Sequence, residues 1–170
     1  MNLSPYPTIK NDKFLLRQIT STDIPTIVSI CFYDALQAKT IEEATAMQAK
    51  IEQDIVDGNS IHWGIINSTT NEIVGTCGYY RGLDKGEGEL GCVLLPQFYG
   101  KGFMTEAMKL AIDYGLNIMG LKKIWAVTTN ENLKAVKLLE RLNFVKTADL
   151  EDNEVEYQLI LKLKTKLFKI

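Results

Sequence analysis

The sequence predicts an α/β domain with a mixed sheet, and three observations carry that expectation. Two β-rich segments, residues 61–67 and 72–80, flank the polar turn Ser68-Thr69-Thr70-Asn71 and specify an antiparallel hairpin. A strand at residues 89–95 runs into a loop with two glycines and then at once into the most regular amphipathic pattern in the chain. A further strand, residues 123–128, follows that helix, which is the order of a βαβ crossover.

Taken in order, residues 14–19 read as a first strand. A helix follows from Thr22 or Asp23, either of which can cap it, with Pro25 tolerated in the first turn. Residues 40–56 form a second helix: Thr40 is its cap, Glu43 completes a capping box, and Gly58-Asn59 ends it. After the hairpin, a glycine-rich loop at 82–88 leads to the strand at 89–95. Phe103, Ala107, Leu110, Ala111, Tyr114 and Ile118 then fall on one helical face, and Gly120 stops that helix. Residues 132–142 form a last helix, with Val136, Leu139 and Leu142 inward and Lys134, Lys137 and Arg141 outward. Two closing strands, 144–148 and 155–163, flank an acidic turn.

The 170 residues fit a single domain, with its core at about residues 14–163. At 46% apolar and 24% charged, the chain can build a real core. A net charge of −2 supplies no long-range attraction for nucleic acid or an anionic membrane, so neither is expected as a partner. Residues 1–12 are polar and interrupted by Pro5 and Pro7, unlike a secretion signal, and the apolar run around Leu90 to Leu95 is too short to span a bilayer. Cys31, Cys77 and Cys92 form no CxxC pair, and with one histidine in the chain no zinc set is expected. Buried free thiols in a reducing cytoplasm are the expectation.

The informative segment is the loop after Pro96. Gly100 and Gly102 allow close backbone approach and positive φ, and the helix start offers free amides and the positive end of a dipole, which together suit a phosphate or pyrophosphate. A Walker loop is absent. A dinucleotide fingerprint needs a small residue where Thr105 stands and the first strand of a parallel sheet, so a nicotinamide oxidoreductase is disfavoured. On these residues alone, a ligand-free helix entry stays open.

Gln97-x-x-Gly100-x-Gly102, after a strand and before a helix, resembles the acetyl-CoA motif of the GCN5-related N-acetyltransferase (GNAT) superfamily. The resemblance extends over nearly the whole chain. Leu16-Arg17-x-Ile19-Thr20-x-x-Asp23, Glu89-Leu90-Gly91, Pro96, Glu106-Ala107, Asn132-x-x-Ala135 and Leu139-Glu140-Arg141-Leu142-Asn143-Phe144 are similar to the RimJ/RimL-like branch, which acetylates ribosomal-protein N-termini. It implies a mostly antiparallel sheet of about seven strands with four helices, acetyl-CoA as co-substrate, no metal, and a homodimer as a possible assembly.

The resemblance also implies roles. The fourth and fifth strands splay, leaving backbone groups of Val93 and Leu95 free for pantetheine, with the Val93 amide facing the thioester carbonyl. Amides from Gln97 to Gly102 hold the pyrophosphate, and Asn132 contacts the pantetheine arm. The implied cofactor set is Val93, Leu94, Leu95, Gln97, Phe98, Tyr99, Gly100, Lys101, Gly102, Phe103, Met104, Asn132 and Ala135. Amine attack needs a neutral amine, and Glu89, on the face of Val93, is the candidate base, against the alternative that it only pairs with a neighbour or positions substrate. Relatives place a Ser where Ala135 stands, or a Tyr where Leu139 stands, to protonate the thiolate; this chain has neither hydroxyl. Asn143 replaces the usual Gly before Phe144 and tolerates positive φ.

Four further features remain. His62 reads as a solvated or hydrogen-bonded strand residue, and Cys92 as core. Asp34, Glu42, Glu43, Glu52, Asp54 and Asp57 make the early helices acidic, which suits a cationic amine or merely a solvated face. The alternating Lys162, Lys164, Lys166 and Lys169 read as a protected edge strand. The function expected is acetyl transfer to a primary amine by direct attack, with a protein N-terminal α-amine as the favoured acceptor. The alternatives are a polyamine or antibiotic acetyltransferase, and a CoA-binding sensor or scaffold without turnover.

Overall fold

The computed structural model describes residues 5–161. Its main sheet has eight strands in the order β1-β2-β5-β6-β7-β8-β10-β9. They are β1 (Ile9–Lys10), β2 (Phe14–Arg17), β5 (Ile61–Asn67), β6 (Ile73–Tyr79), β7 (Glu87–Leu94), β8 (Lys123–Thr129), β9 (Phe144–Asp149) and β10 (Glu154–Leu159). Only β7 and β8 pair in parallel; the other neighbours are antiparallel. A separate hairpin, β3 (Phe32–Tyr33) and β4 (Leu36–Gln37), was not expected from the sequence. The closing strand ends at Leu159 rather than 163, and the lysine series from Lys162 lies outside the described residues.

The first helix is much shorter than expected: α1 covers Ile24–Ile27 and continues only as a 3-10 turn, Val28–Ile30. Ile24, Thr26, Ile27, Val28 and Ile30 are β-branched and poor at sustaining a helix. Asp23 does not cap it. Its carboxylate instead accepts from the Thr20 amide (2.7 Å), the Thr20 hydroxyl (2.8 Å) and both terminal nitrogens of Arg17 (2.7 and 2.9 Å). Burial alone would push the Asp23 carboxyl up, but Arg17 and Thr20 more than reverse this and leave it below the usual range.

Helix α2 (Ile41–Val56) starts as expected, with Glu43 donating its amide to the Thr40 hydroxyl at 3.2 Å. The Glu43 carboxylate reaches back one residue beyond the cap, to the Lys39 amide at 2.7 Å. Helix α3 (Phe103–Asn117) lies on one face of the sheet. Its Phe103, Ala107, Met108 and Ala111 pack with Trp63, Tyr79, Leu90 and Leu94, each large buried side chain contributing roughly 1.5–3 kcal/mol. The Tyr79 hydroxyl donates to the Ala111 carbonyl at 2.8 Å and ties helix to sheet. Ile118, expected inward, is 70% exposed because it lies at the helix end. A smaller cluster on the opposite face joins Ile27 and Ile30 to Ile66, Ile73 and Leu95. Helix α4 (Leu133–Arg141) stops at Asn143, whose φ of 66° gives the left-handed turn that glycine usually supplies.

Candidate active site at the parting of β7 and β8

Strands β7 and β8 pair only over Glu87↔Lys123, Gly88↔Ile124 and Glu89↔Trp125. Beyond that, β7 stays with β6 as far as Leu94 and β8 stays with β10 as far as Thr129. The two strands therefore part into a V whose apex is Glu89 and Trp125. A sheet interrupted in this way leaves backbone donors and acceptors that need a partner.

The register decides which groups those are. Tyr80 donates its amide to the Glu89 carbonyl (3.0 Å), and Leu95 donates to Val74 (2.9 Å). Because direction alternates along an antiparallel strand, positions 89, 91, 93 and 95 turn their backbone groups toward β6. Val93 stands opposite Thr76 there. The expectation that Val93 and Leu95 leave backbone groups free is corrected: Cys92 and Leu94 present theirs to the V. The Val93 side chain packs against the cluster around Ile27 and Ile30.

At the wide end of β7, the chain makes a 3-10 turn over Pro96–Phe98. Phe98 and Tyr99 spend their amides inside that turn, on the carbonyls of Leu95 (3.0 Å) and Pro96 (3.1 Å), so the expected span of phosphate donors narrows. Gly100 and Gly102 take φ of 74° and 81°, and a Cβ on either would meet nothing within 4 Å. Helix α3 begins at Gly102 with no side-chain cap, and its first such backbone bond runs from Glu106 to Gly102 at 3.3 Å. The amides of Phe103, Met104 and Thr105 thus lie in the uncapped first turn, the geometry of an anion site.

Side chains of the loop divide into packed and open. Phe98 meets Phe103 edge-on at 5.5 Å, and Met104 packs against the core, so of these three Phe103 and Met104 can serve a ligand through their backbone amides, while Phe98, its amide spent, packs the loop. Gln97, Tyr99 and Lys101 are exposed. Lys101 lies over the Phe98 ring at 5.5 Å, and Lys134 of α4 over the Tyr99 ring at 6.0 Å, which brings two cations to the loop. An open cavity of about 310 Å³ adjoins the helix start between Lys13, Phe14, Lys101 and Thr105. Asn132 uses its carbonyl oxygen to cap α4 at the Ala135 amide (3.2 Å), keeping its amide nitrogen for another partner. Ala135 is half-buried, while Leu139 is 3% exposed and belongs to the core.

At the apex, both carboxylate oxygens of Glu89 are taken by Arg81: Nη2 donates to Oε1 at 3.0 Å and Nε donates to Oε2. The pairing foreseen as the alternative for Glu89 is therefore present.

Two neighbours on the same face were not singled out by sequence as site residues of this kind. The Tyr80 ring lies over Gly91 and 5.4 Å from the His62 ring. It keeps 37% of its surface open while burial of its hydroxyl end pushes the phenol well above its ordinary range. His62 is buried, and its Nδ1 has no partner among the described residues. On the other face, Cys92 and Cys77 stand opposite each other, and their hydrogen bond, with burial, holds the Cys92 thiol far above its usual pKa.

Comparisons with known proteins bear on this arrangement. The family model described as "Acetyltransferase (GNAT) domain" matches residues 13–145. An uncharacterized N-acetyltransferase of Bacillus subtilis, YoaA, is 29% identical over 150 residues, covering 83% of this chain and 84% of the relative. The spermidine N(1)-acetyltransferase of Escherichia coli K12 is 38% identical over 56 residues, a third of this chain (33%) and 30% of the relative. The crystal structure of the ribosomal-protein-S5-alanine acetyltransferase of Vibrio fischeri superposes with a TM-score of 0.71 at 19% identity, covering 91% of this chain and 96% of that one, which shows the shared fold. With the family model spanning most of its length, this chain belongs to the GNAT family and is an N-acetyltransferase.

Proposed function

We propose that this enzyme transfers the acetyl group of acetyl-CoA to a primary amine by direct attack in a ternary complex, with a protein N-terminal α-amine as the favoured acceptor and the cytoplasm as its compartment. The observation that carries the reading is the V. Its free backbone edge at Cys92 and Leu94 suits the amide-rich pantetheine arm, and the uncapped start of α3 with Gly100 and Gly102 suits the pyrophosphate. The amine nitrogen bonds to the thioester carbon, the carbonyl oxygen gains charge, and the amide of Cys92 or Leu94 stabilises it. The carbon–sulfur bond then breaks. A thiol pKa near ~8.5 lets CoA leave as thiolate, so the missing hydroxyls at Ala135 and Leu139 do not stop the reaction. The amine proton passes to Glu89 or to water, and Glu89 first has to part from Arg81.

The family relationship to the spermidine enzyme supports a small polyamine as the second acceptor reading. A thiol-release assay with acetyl-CoA against peptides of varied N-terminus, spermidine and aminoglycosides tests both. Turnover of peptides supports the first reading, and turnover of spermidine alone the second. CoA binding without thiol release from any amine would establish a sensor or scaffold instead.

A further inference from the structure

Helix α3 closes one face of the V, where Leu90 and Leu94 pack with Ala107, Met108 and Ala111. An acceptor therefore reaches the V from the other face, where Glu89, Tyr80 and Trp125 stand. That face already holds a cation. The Arg81 guanidinium is bound to both oxygens of Glu89, whose side chain is 13% exposed, while the Arg81 side chain itself is 74% exposed. Arg81 is thus anchored at its tip and loose along its stem. Glu154, the first residue of β10 and on the far side of β8, adds to the attraction that Glu89 exerts on it. The guanidinium thus stands at the apex of the V, held there by the Glu89 carboxylate.

We infer that Arg81 occupies the ammonium position of the acceptor: the cradle formed by the Glu89 carboxylate beside the open face of Tyr80 binds the substrate's cation, and the arginine is its resident stand-in. The inference rests on the amine-acetyltransferase reading above. A primary amine with an ordinary pKa of ~8–10 arrives protonated, so its site must receive a cation before it can dispose of a proton. A carboxylate flanked by an aromatic face does so. The substrate then displaces Arg81 from Glu89 as it binds. Release of the carboxylate is tied to arrival of the amine, and water does not meet a free base at the apex of the V in the absence of acceptor. Arg81 is in this view a positioning residue that sets acceptor affinity and touches no reacting atom.

The test compares parent, Arg81→Gln, Glu89→Gln and the double variant. Acceptor KM and kcat are measured with the amine that turns over fastest, and acceptor affinity is measured by titration calorimetry on the CoA complex. Where no amine turns over, spermidine is the calorimetric probe. Loss of the competing cation is expected to lower acceptor KM and Kd about two- to fivefold in Arg81→Gln, the range of a partly exposed ion pair, with CoA affinity unchanged. In the Glu89→Gln background, the Arg81 substitution is expected to leave acceptor Kd where it was. An acceptor KM or Kd that rises, or stays the same, in Arg81→Gln overturns the inference, and so does a gain that persists without the Glu89 carboxylate. The two readings separate cleanly. Tighter spermidine binding to Arg81→Gln without any turnover upholds the cation site and sinks the transferase reading; turnover with a KM indifferent to Arg81 does the reverse.

Discussion

The ring of Tyr80 lies on the backbone of Gly91: a Cβ built at Gly91 would stand 2.4 Å from the ring's Cε2 and 3.1 Å from its Cδ2. The glycine of Glu89-Leu90-Gly91 is thus required by a side chain from the neighbouring strand, not by a turn. With His62 at 5.4 Å, the ring forms a floor beside the apex of the V on the face that carries Glu89.

Gly91→Ala is therefore expected to dislodge Tyr80. Overfilled contacts cost about 1–3 kcal/mol, and because the ring is partly exposed and can swing outward, the lower end applies. A double-mutant cycle in urea checks this. In the Tyr80→Ala background, Gly91→Ala should cost less than about 0.5 kcal/mol, and equal costs in both backgrounds would show that the ring is not what excludes the methyl group.

The glycine loop before α3 gives the second prediction. CoA at ~100 times its dissociation constant should stabilise the fold by roughly 2.7 kcal/mol, and NAD should add little. Gly102→Val should weaken CoA binding, but at φ of 81° a β-branched residue also strains the backbone. Gly102→Asn separates the two effects, since Asn tolerates the left-handed region while still placing a side chain in the open space. Equal CoA affinity in Gly102→Asn and the parent would move the pyrophosphate site elsewhere.

These sites differ in how far sequence could reach them. The loop was legible because its signals are local: two glycines, a strand before and an amphipathic helix after. The Thr40 cap and the hairpin turn were legible for the same reason. The β3–β4 hairpin was not, since its turn places Asp34 and Ala35 at φ of 48° and 61°, and alanine is no marker of that conformation. The assignment of free backbone to Val93 failed because parity along β7 depends on its register with β6, which no local pattern encodes. Tyr80 over Gly91, and Arg81 on Glu89, likewise arise from strand pairing across a loop.

Glu89→Gln preserves shape while removing both the basicity and the ion pair. If Glu89 takes the amine proton once Arg81 has moved, turnover should fall about 10²-fold with CoA affinity intact. The pH profile distinguishes this from a structural role. The parent rate should rise with an apparent pKa at or below that of the acceptor, whereas the variant should follow amine ionisation alone and partly recover at high pH. Survival of both rate and profile would make Glu89 a structural partner of Arg81.

The last prediction uses the fact that the chain has one histidine. Burial pushes the His62 imidazole from its ordinary 6.5 down to about 4, so the folded state favours the neutral ring. The unfolded chain binds a proton near pH 6.5 and the folded one only near pH 4. Stability from this residue is therefore fully present above pH ~6.5 and is lost as pH falls from there through the folded value, a change of about 3 kcal/mol. Carboxylates also titrate at the acid end, so the comparison is with His62→Phe, which keeps a ring and cannot titrate. Urea midpoints should fall more steeply between pH 6.5 and 4.5 in the parent than in His62→Phe. The single imidazole signal of the native protein should stay unprotonated down to about pH 5 by NMR. An imidazole that titrates near 6.5 in the folded protein would mean that His62 reaches water, and the unpartnered Nδ1 would then be solvated rather than enclosed.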